Sequence, residues 1–157
     1  MRLRFLARVI RREQAHLCAT DQRLFATPFT LEQAQQLHHD EALAERVDAF
    51  VSRFGRLQDT VGDKLLPAWI SAVGERPSAL IDNLDRAERL GLLACADTWI
   101  ALRQLRNQMV HEYIEDLTIL VNALQTAHDR LPLLIDTANA LLADLQRRGF
   151  IDQEDGA

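Results

Sequence analysis

Residues 43–65 read LAERVDAFVSRFGRLQDTVGDKL. Leu43, Val47, Phe50, Phe54, Leu57, Val61 and Leu65 recur at intervals of three and four. That spacing stacks side chains on one face of a helix, and no strand pattern of period two competes with it. It is the longest clean helical stripe in the first half of the chain. Arg53, Arg56 and Asp59 fall opposite the Phe50/Phe54 stripe, and Arg56 with Asp59 has the spacing of a surface ion pair. Pro67 is tolerated in a first turn but not in a helix interior, so the helix is expected to bend or restart there, carrying Trp69 and Ile70.

Working outward, the same period extends in both directions. A first helix is expected over residues 3–24, with Phe5, Leu6, Val9, Ile10 and Leu17 inward. Thr27, Pro28 and Phe29 break it. Thr30 with Gln33 has the form of a capping box opening a short helix to about His38, and Asp40 can cap the long one. Downstream, Gly74–Pro77 is a turn, Ser78–Leu90 a shorter helix, and Gly91 suits the left-handed position after it. A helix over Cys95–Glu112 follows. Asp116 opens a last long helix whose inward set runs from Leu117, Leu120, Val121 and Leu124 through Leu131, Leu134, Ile135, Ala138, Leu141, Leu142 and Leu145. Pro132 lies within that stretch and is expected to kink it. The tail GFIDQEDGA is short and acidic and is expected to fray. With no linker, repeat or low-complexity segment, residues 1–157 read as one all-α domain, an up-and-down bundle of four to six helices.

Composition excludes several classes of function. The chain has 157 residues, 48% hydrophobic and 26% charged, as a globular domain does. Its net charge of −5 rules out wrapping a polyanion by bulk charge, so any nucleic acid must meet a local patch. Of the cations only Lys64 is lysine; the rest are arginine, the better geometric match to phosphate and also the product of a GC-rich genome. Cys18 and Cys95 form neither a metal spacing nor a disulfide framework, which points to a reducing cytoplasm. The basic, amphipathic start MRLRFLARVIRR has no uninterrupted apolar core or small-residue cleavage site and reads as an ordinary first helix. No stretch is long enough to span a bilayer. His38, His39 and Asp40 point to different faces and read as a solvated helix end rather than a metal site. Neither a glycine-rich phosphate loop nor a nucleophile elbow is present.

One stretch admits a structural reading, in which Arg106 pairs with an acid and His111 merely packs, and a chemical one. In ALRQLRNQMVHEY, residues 101–113, Arg106 occupies the centre of a stripe otherwise made of Trp99, Leu102, Met109, Val110 and Tyr113, all within roughly 60° of it on the helical wheel. A guanidinium there must snorkel, pair with an acid such as Asp97, Glu112 or Asp116, or wait for a phosphate. Asn107 and His111 sit side by side at i,i+4 on its flank, and Arg103 adds a second guanidinium one turn earlier. Cleaving RNA without a metal needs proton transfer at the 2′-OH and at the leaving 5′-oxygen, and a cation for the charge that builds on the phosphoryl oxygens. Histidine titrates near neutrality and arginine offers a fixed fork of donors, so His111 and Arg106 suit these roles. Asn107 can orient the imidazole or, with Arg103, hold a phosphate oxygen. One helix carries one histidine, so two copies meeting across a dimer axis would make a two-proton mechanism easier.

RNQMVHEY resembles the Arg–x4–6–His motif of HEPN domains, in the form found in HepT-like toxins and in nucleotidyltransferase substrate-binding proteins. LDRAERLGLL before the motif, the helix change at Glu115–Asp116 and the long final helix resemble that family as well. The resemblance implies an all-α bundle forming a homodimer with the two motifs facing one cleft. It implies ribonuclease activity with no metal and no cofactor, with Arg106 and His111 as the catalytic pair and Asn107 in support. A minimal nucleotidyltransferase antitoxin is the implied partner, and Tyr113 the residue it would modify with AMP. Three functions therefore compete: an endoribonuclease toxin, a non-catalytic substrate- or nucleotide-binding subunit of a two-component nucleotidyltransferase, and a purely structural helical dimer.

Overall fold

The computed structural model describes residues 2–111 and 115–153. Its elements are α1 (Arg2–Leu24), α2 (Leu31–Gln35) running into a 3-10 turn (Gln36–His38), α3 (Glu41–Asp59), a π-helical segment (Thr60–Leu65), α4 (Leu66–Ala72), α5 (Leu80–Arg89), α6 (Ala96–His111) and α7 (Leu117–Arg147). Among the described residues there is no strand, and the fold is a helical bundle. Helix α1 packs along α3, α6 along α7, and α3 joins the pairs by packing on α6.

The stripe that opens the sequence reading forms the centre of this core. Val47, Phe50, Phe54, Leu57 and Leu65 are fully buried, together with Leu102 of α6 and Leu120, Leu124 and Leu141 of α7. Complete burial of a large aliphatic or aromatic side chain contributes about 1.5–3 kcal/mol, so this shared interior holds the helices in register. Trp69 is buried with its indole N–H donating to Asp144 Oδ2 at 2.7 Å, which ties α4 to α7.

The expected helix signals are in place. Thr30 Oγ1 accepts from Gln33 N, Asp40 Oδ1 from Leu43 N, and Asp116 Oδ1 from Thr118 N and Ile119 N. Gly91 takes a φ of 77°, the left-handed geometry that ends α5. In the capping box, however, the Gln33 amide reaches past the cap to Thr27 Oγ1. Helix α5 begins at Leu80 rather than Ser78, because the Asn83 side chain bonds both the N–H and the carbonyl of Ser78 and holds it outside the helix.

At Pro67 the helix restarts as expected: α3 passes through the π-helical segment, Leu66 N–H bonds five residues back to Val61 O, and α4 opens with Pro67 in its first turn and carries Trp69 and Ile70. The wider turn absorbs the imino nitrogen, which has no hydrogen to donate. Helix α7 runs from Leu117 to Arg147 with Pro132 inside it and exposed to solvent. Two expectations need correction. Phe5 is exposed, lying about 100° from Leu6 and about 140° from Ile10 on the helical wheel, the residues of these turns that face the core. The tail is anchored as far as Asp152: Ile151 is buried and Asp152 pairs with Arg4 at 3.1 Å. No helix of the described residues is long and apolar enough to cross a membrane.

Candidate functional site

Helix α6 divides the motif between two sides. Its N-terminus is capped by Glu88, whose Oε1 accepts from Ala96 N at 3.0 Å, so the LDRAERLGLL stretch fixes where α6 starts. Trp99, Leu102, Leu105 and Met109 then drive one side into the core. Val110, placed in the apolar stripe by the sequence, is exposed at its edge, where it borders a cleft.

Arg106 reaches into that cleft and is half-buried. Its Nη1 donates to Asp59 Oδ1 at 2.6 Å, an acid from the end of α3 and none of the three acids that the sequence suggested. Gly55 makes the approach possible. A Cβ at that position would stand 2.6 Å from Arg106 Nε, so the guanidinium lies against bare backbone of α3. Asp59 therefore serves Arg106 across the helix interface, and no Arg56–Asp59 ion pair forms among the described residues.

The cleft holds about 610 Å³ and lies between α3, the π-helical segment and α6. Arg56, Lys64 and Arg106 supply three cations to its wall, against the carboxylates of Asp48 and Asp59. Ser52 and Thr60 add hydroxyls, and Val51, Met109 and Val110 an apolar side. Thr60 is held from behind by α1, its hydroxyl bonding Glu13 Oε1 at 3.1 Å and the Arg56 carbonyl at 2.9 Å. Burial pushes the Glu13 carboxyl above the ordinary glutamate range; the Thr60 hydrogen bond and the charges of Arg56 and Lys64 only partly oppose it. Glu13 Oε2 is buried with no hydrogen-bond partner among the described residues.

Asn107 and His111 lie on the other side. Both are exposed, and neither lines the cleft. With Arg103, half-buried one turn earlier, they form a strip at i, i+4 and i+8. On a regular helix His111 is rotated roughly 140° from Arg106. Within the chain the pair thus faces two surfaces. Tyr113 lies outside the described residues.

Sequence reasoning missed the partners that α3 and the π-helical segment bring to Arg106, namely Arg56, Asp59 and Lys64. A uniform α-helical wheel separates Asp59 from Lys64, whereas hydrogen bonding to the fifth residue stacks positions five apart. Two signals were available. Gly55 and Gly62 sit inside a helical stripe, where glycine is disfavoured by about 1 kcal/mol without a packing reason, and Gly62 has the Trp99 indole 3.3 Å from where its Cβ would be. Lys64 is the one lysine of the chain. Among the described residues, no group of three histidine, cysteine or acidic side chains is arranged to hold a metal. No protein-family model, curated protein or solved structure matches the chain.

Proposed function

We propose that the protein is a metal-independent endoribonuclease of the HEPN type, the toxin of a pair whose antitoxin is a minimal nucleotidyltransferase. In this reading Arg106 stabilises charge on the scissile phosphate and His111 moves the proton, with Asn107 and Arg103 steadying the phosphate or the imidazole. The observation that carries it is the setting of Arg106: a guanidinium on the motif helix, seated in a cationic cleft of nucleotide size beside Arg56 and Lys64. Because His111 faces away from that cleft, the reading requires a second copy of the chain, packed two-fold so that the histidine of one protomer approaches the arginine of the other. Such a contact should bury at least roughly 1,200 Å² in total. The free thiols of Cys18 and Cys95 suit the cytoplasm that this role requires.

The same split favours a second reading. A protein that only binds a nucleotide needs the cleft and has no use for a histidine inside it, as in the binding subunit of a two-component nucleotidyltransferase. The deciding experiment is RNA cleavage by purified protein in EDTA, with 2′,3′-cyclic phosphate or 3′-phosphate ends expected. Equal cleavage by wild type and His111→Ala would trace the activity to a contaminating nuclease. Absence of cleavage, with AMP still bound, would leave the binding subunit.

A further inference from the structure

We infer that the cleft between α3 and α6 is a phosphate-binding site in its own right, built by Arg56, Lys64 and Arg106, with Asp59 as the internal counter-ion that the phosphate displaces. The inference deepens the reading above by adding residues outside the motif, but it stands on separate observations and does not involve His111.

The electrostatic case is local. On a chain of net charge −5, this wall carries three cations against two carboxylates. Among the described residues Arg56 and Lys64 have no ion-pair partner within 4.0 Å, although both lie near enough to Glu13 to act on its charge. The wall keeps one cation in excess of its own carboxylates, and a bound anion offsets that excess. An arginine fork and a lysine point charge differ in geometry and together surround a tetrahedral oxyanion better than either alone. Ser52 supplies a hydroxyl donor, whereas the Thr60 proton is already given to Glu13 and the Arg56 carbonyl.

The counter-ion role of Asp59 follows from exposure. Its side chain is 40% accessible and that of Arg106 34%. An ion pair so open to water is worth about 0–1 kcal/mol, so giving up Asp59 costs little and a phosphate carrying two charges can compete for the same guanidinium. The phosphate thus competes for Arg106 where its guanidinium lies against the bare Gly55 backbone. The volume of about 610 Å³ admits more than the anion, and the apolar wall of Val51, Met109 and Val110 accepts the body attached to it.

The test is calorimetric titration of the full chain with AMP, and with a short RNA in EDTA on the His111→Ala background. Arg56→Gln and Lys64→Gln should each weaken AMP about tenfold, and Arg130→Gln, which removes an exposed charge on α7, should not. Asp59→Asn should tighten AMP by roughly two- to fivefold. Circular dichroism checks that each variant is folded. RNA that competes with AMP assigns the phosphate to an RNA backbone, and AMP binding without competition assigns it to a mononucleotide; both support the site. Failure to bind either, or equal weakening by Arg130→Gln, overturns it, as does weaker binding by folded Asp59→Asn. Phosphate binding that persists in a protein unable to cleave RNA sinks the nuclease reading alone.

Discussion

Arg106 and His111 are five residues apart on α6, yet they live under different physical rules. Arg106 is packed against the backbone of α3 at Gly55 and bonded to Asp59, so it is held by two elements at once. His111 is exposed, and among the described residues its side chain has no hydrogen-bond or ion-pair partner. The cleft side is thus held within the chain, whereas the outer strip of Asn107 and His111 is exposed. Two residues close in sequence face two different surfaces.

The comparison breaks first on activity. His111→Ala should lower RNA cleavage by about 10²–10⁴-fold, and Arg106→Ala comparably, measured as initial rates in EDTA. Their effects on stability should differ: loss of exposed His111 should stay within about 0.5 kcal/mol by urea unfolding. If both variants unfold alike, the two sides are not distinct. The core side gives the next effect. Leu102→Ala removes a fully buried side chain from α6 and should cost about 2–5 kcal/mol in the same assay.

Gly55→Ala sharpens the contrast because stability and binding should move in opposite directions. Alanine favours the helix by up to about 1 kcal/mol, but its Cβ would lie 2.6 Å from Arg106 Nε and push the guanidinium out of its seat. Unchanged or raised stability with weaker AMP binding is expected. A Gly55→Ala protein that binds AMP as wild type would show that the seat does not matter.

The smallest effect is one of pH and lies far from the cleft. Burial alone would raise the Asp144 carboxyl, but the Trp69 indole and the guanidinia of Arg148 and Arg147 outweigh it and hold Asp144 below the ordinary aspartate range. A depressed value stabilises the fold once pH is above the ordinary range, and that contribution disappears as pH falls below it. Asp144→Asn should therefore flatten the acid end of the stability–pH curve, read by thermal unfolding, while leaving AMP binding unchanged at neutral pH.

What the sequence made legible follows from where its regularities come from. The stripe Leu43–Leu65, the caps Thr30, Asp40 and Asp116, and the stop at Gly91 are local features, and the fold keeps all of them. The π-helical segment was illegible because it preserves the apolar spacing on either side while changing the angle between residues such as Asp59 and Lys64. The partner of Arg106 was illegible for another reason. Candidate acids close in sequence are easy to count, but Asp59 is brought to Arg106 by the packing of α3 on α6, a relation no window of adjacent residues contains.

The two tryptophans turn this architecture into something optically readable. Trp69 marks the junction of α4 with α7, and Trp99, pressed on Gly62, marks the junction of α6 with the π-helical segment that carries Lys64. Both indoles are buried and should emit at short wavelength in the native protein. In Trp69→Phe the remaining emission comes from Trp99 alone, on the helix that supplies Arg106. The protein then carries its own fluorescent gauge of how closely the two walls of the cleft are held together, with no label attached.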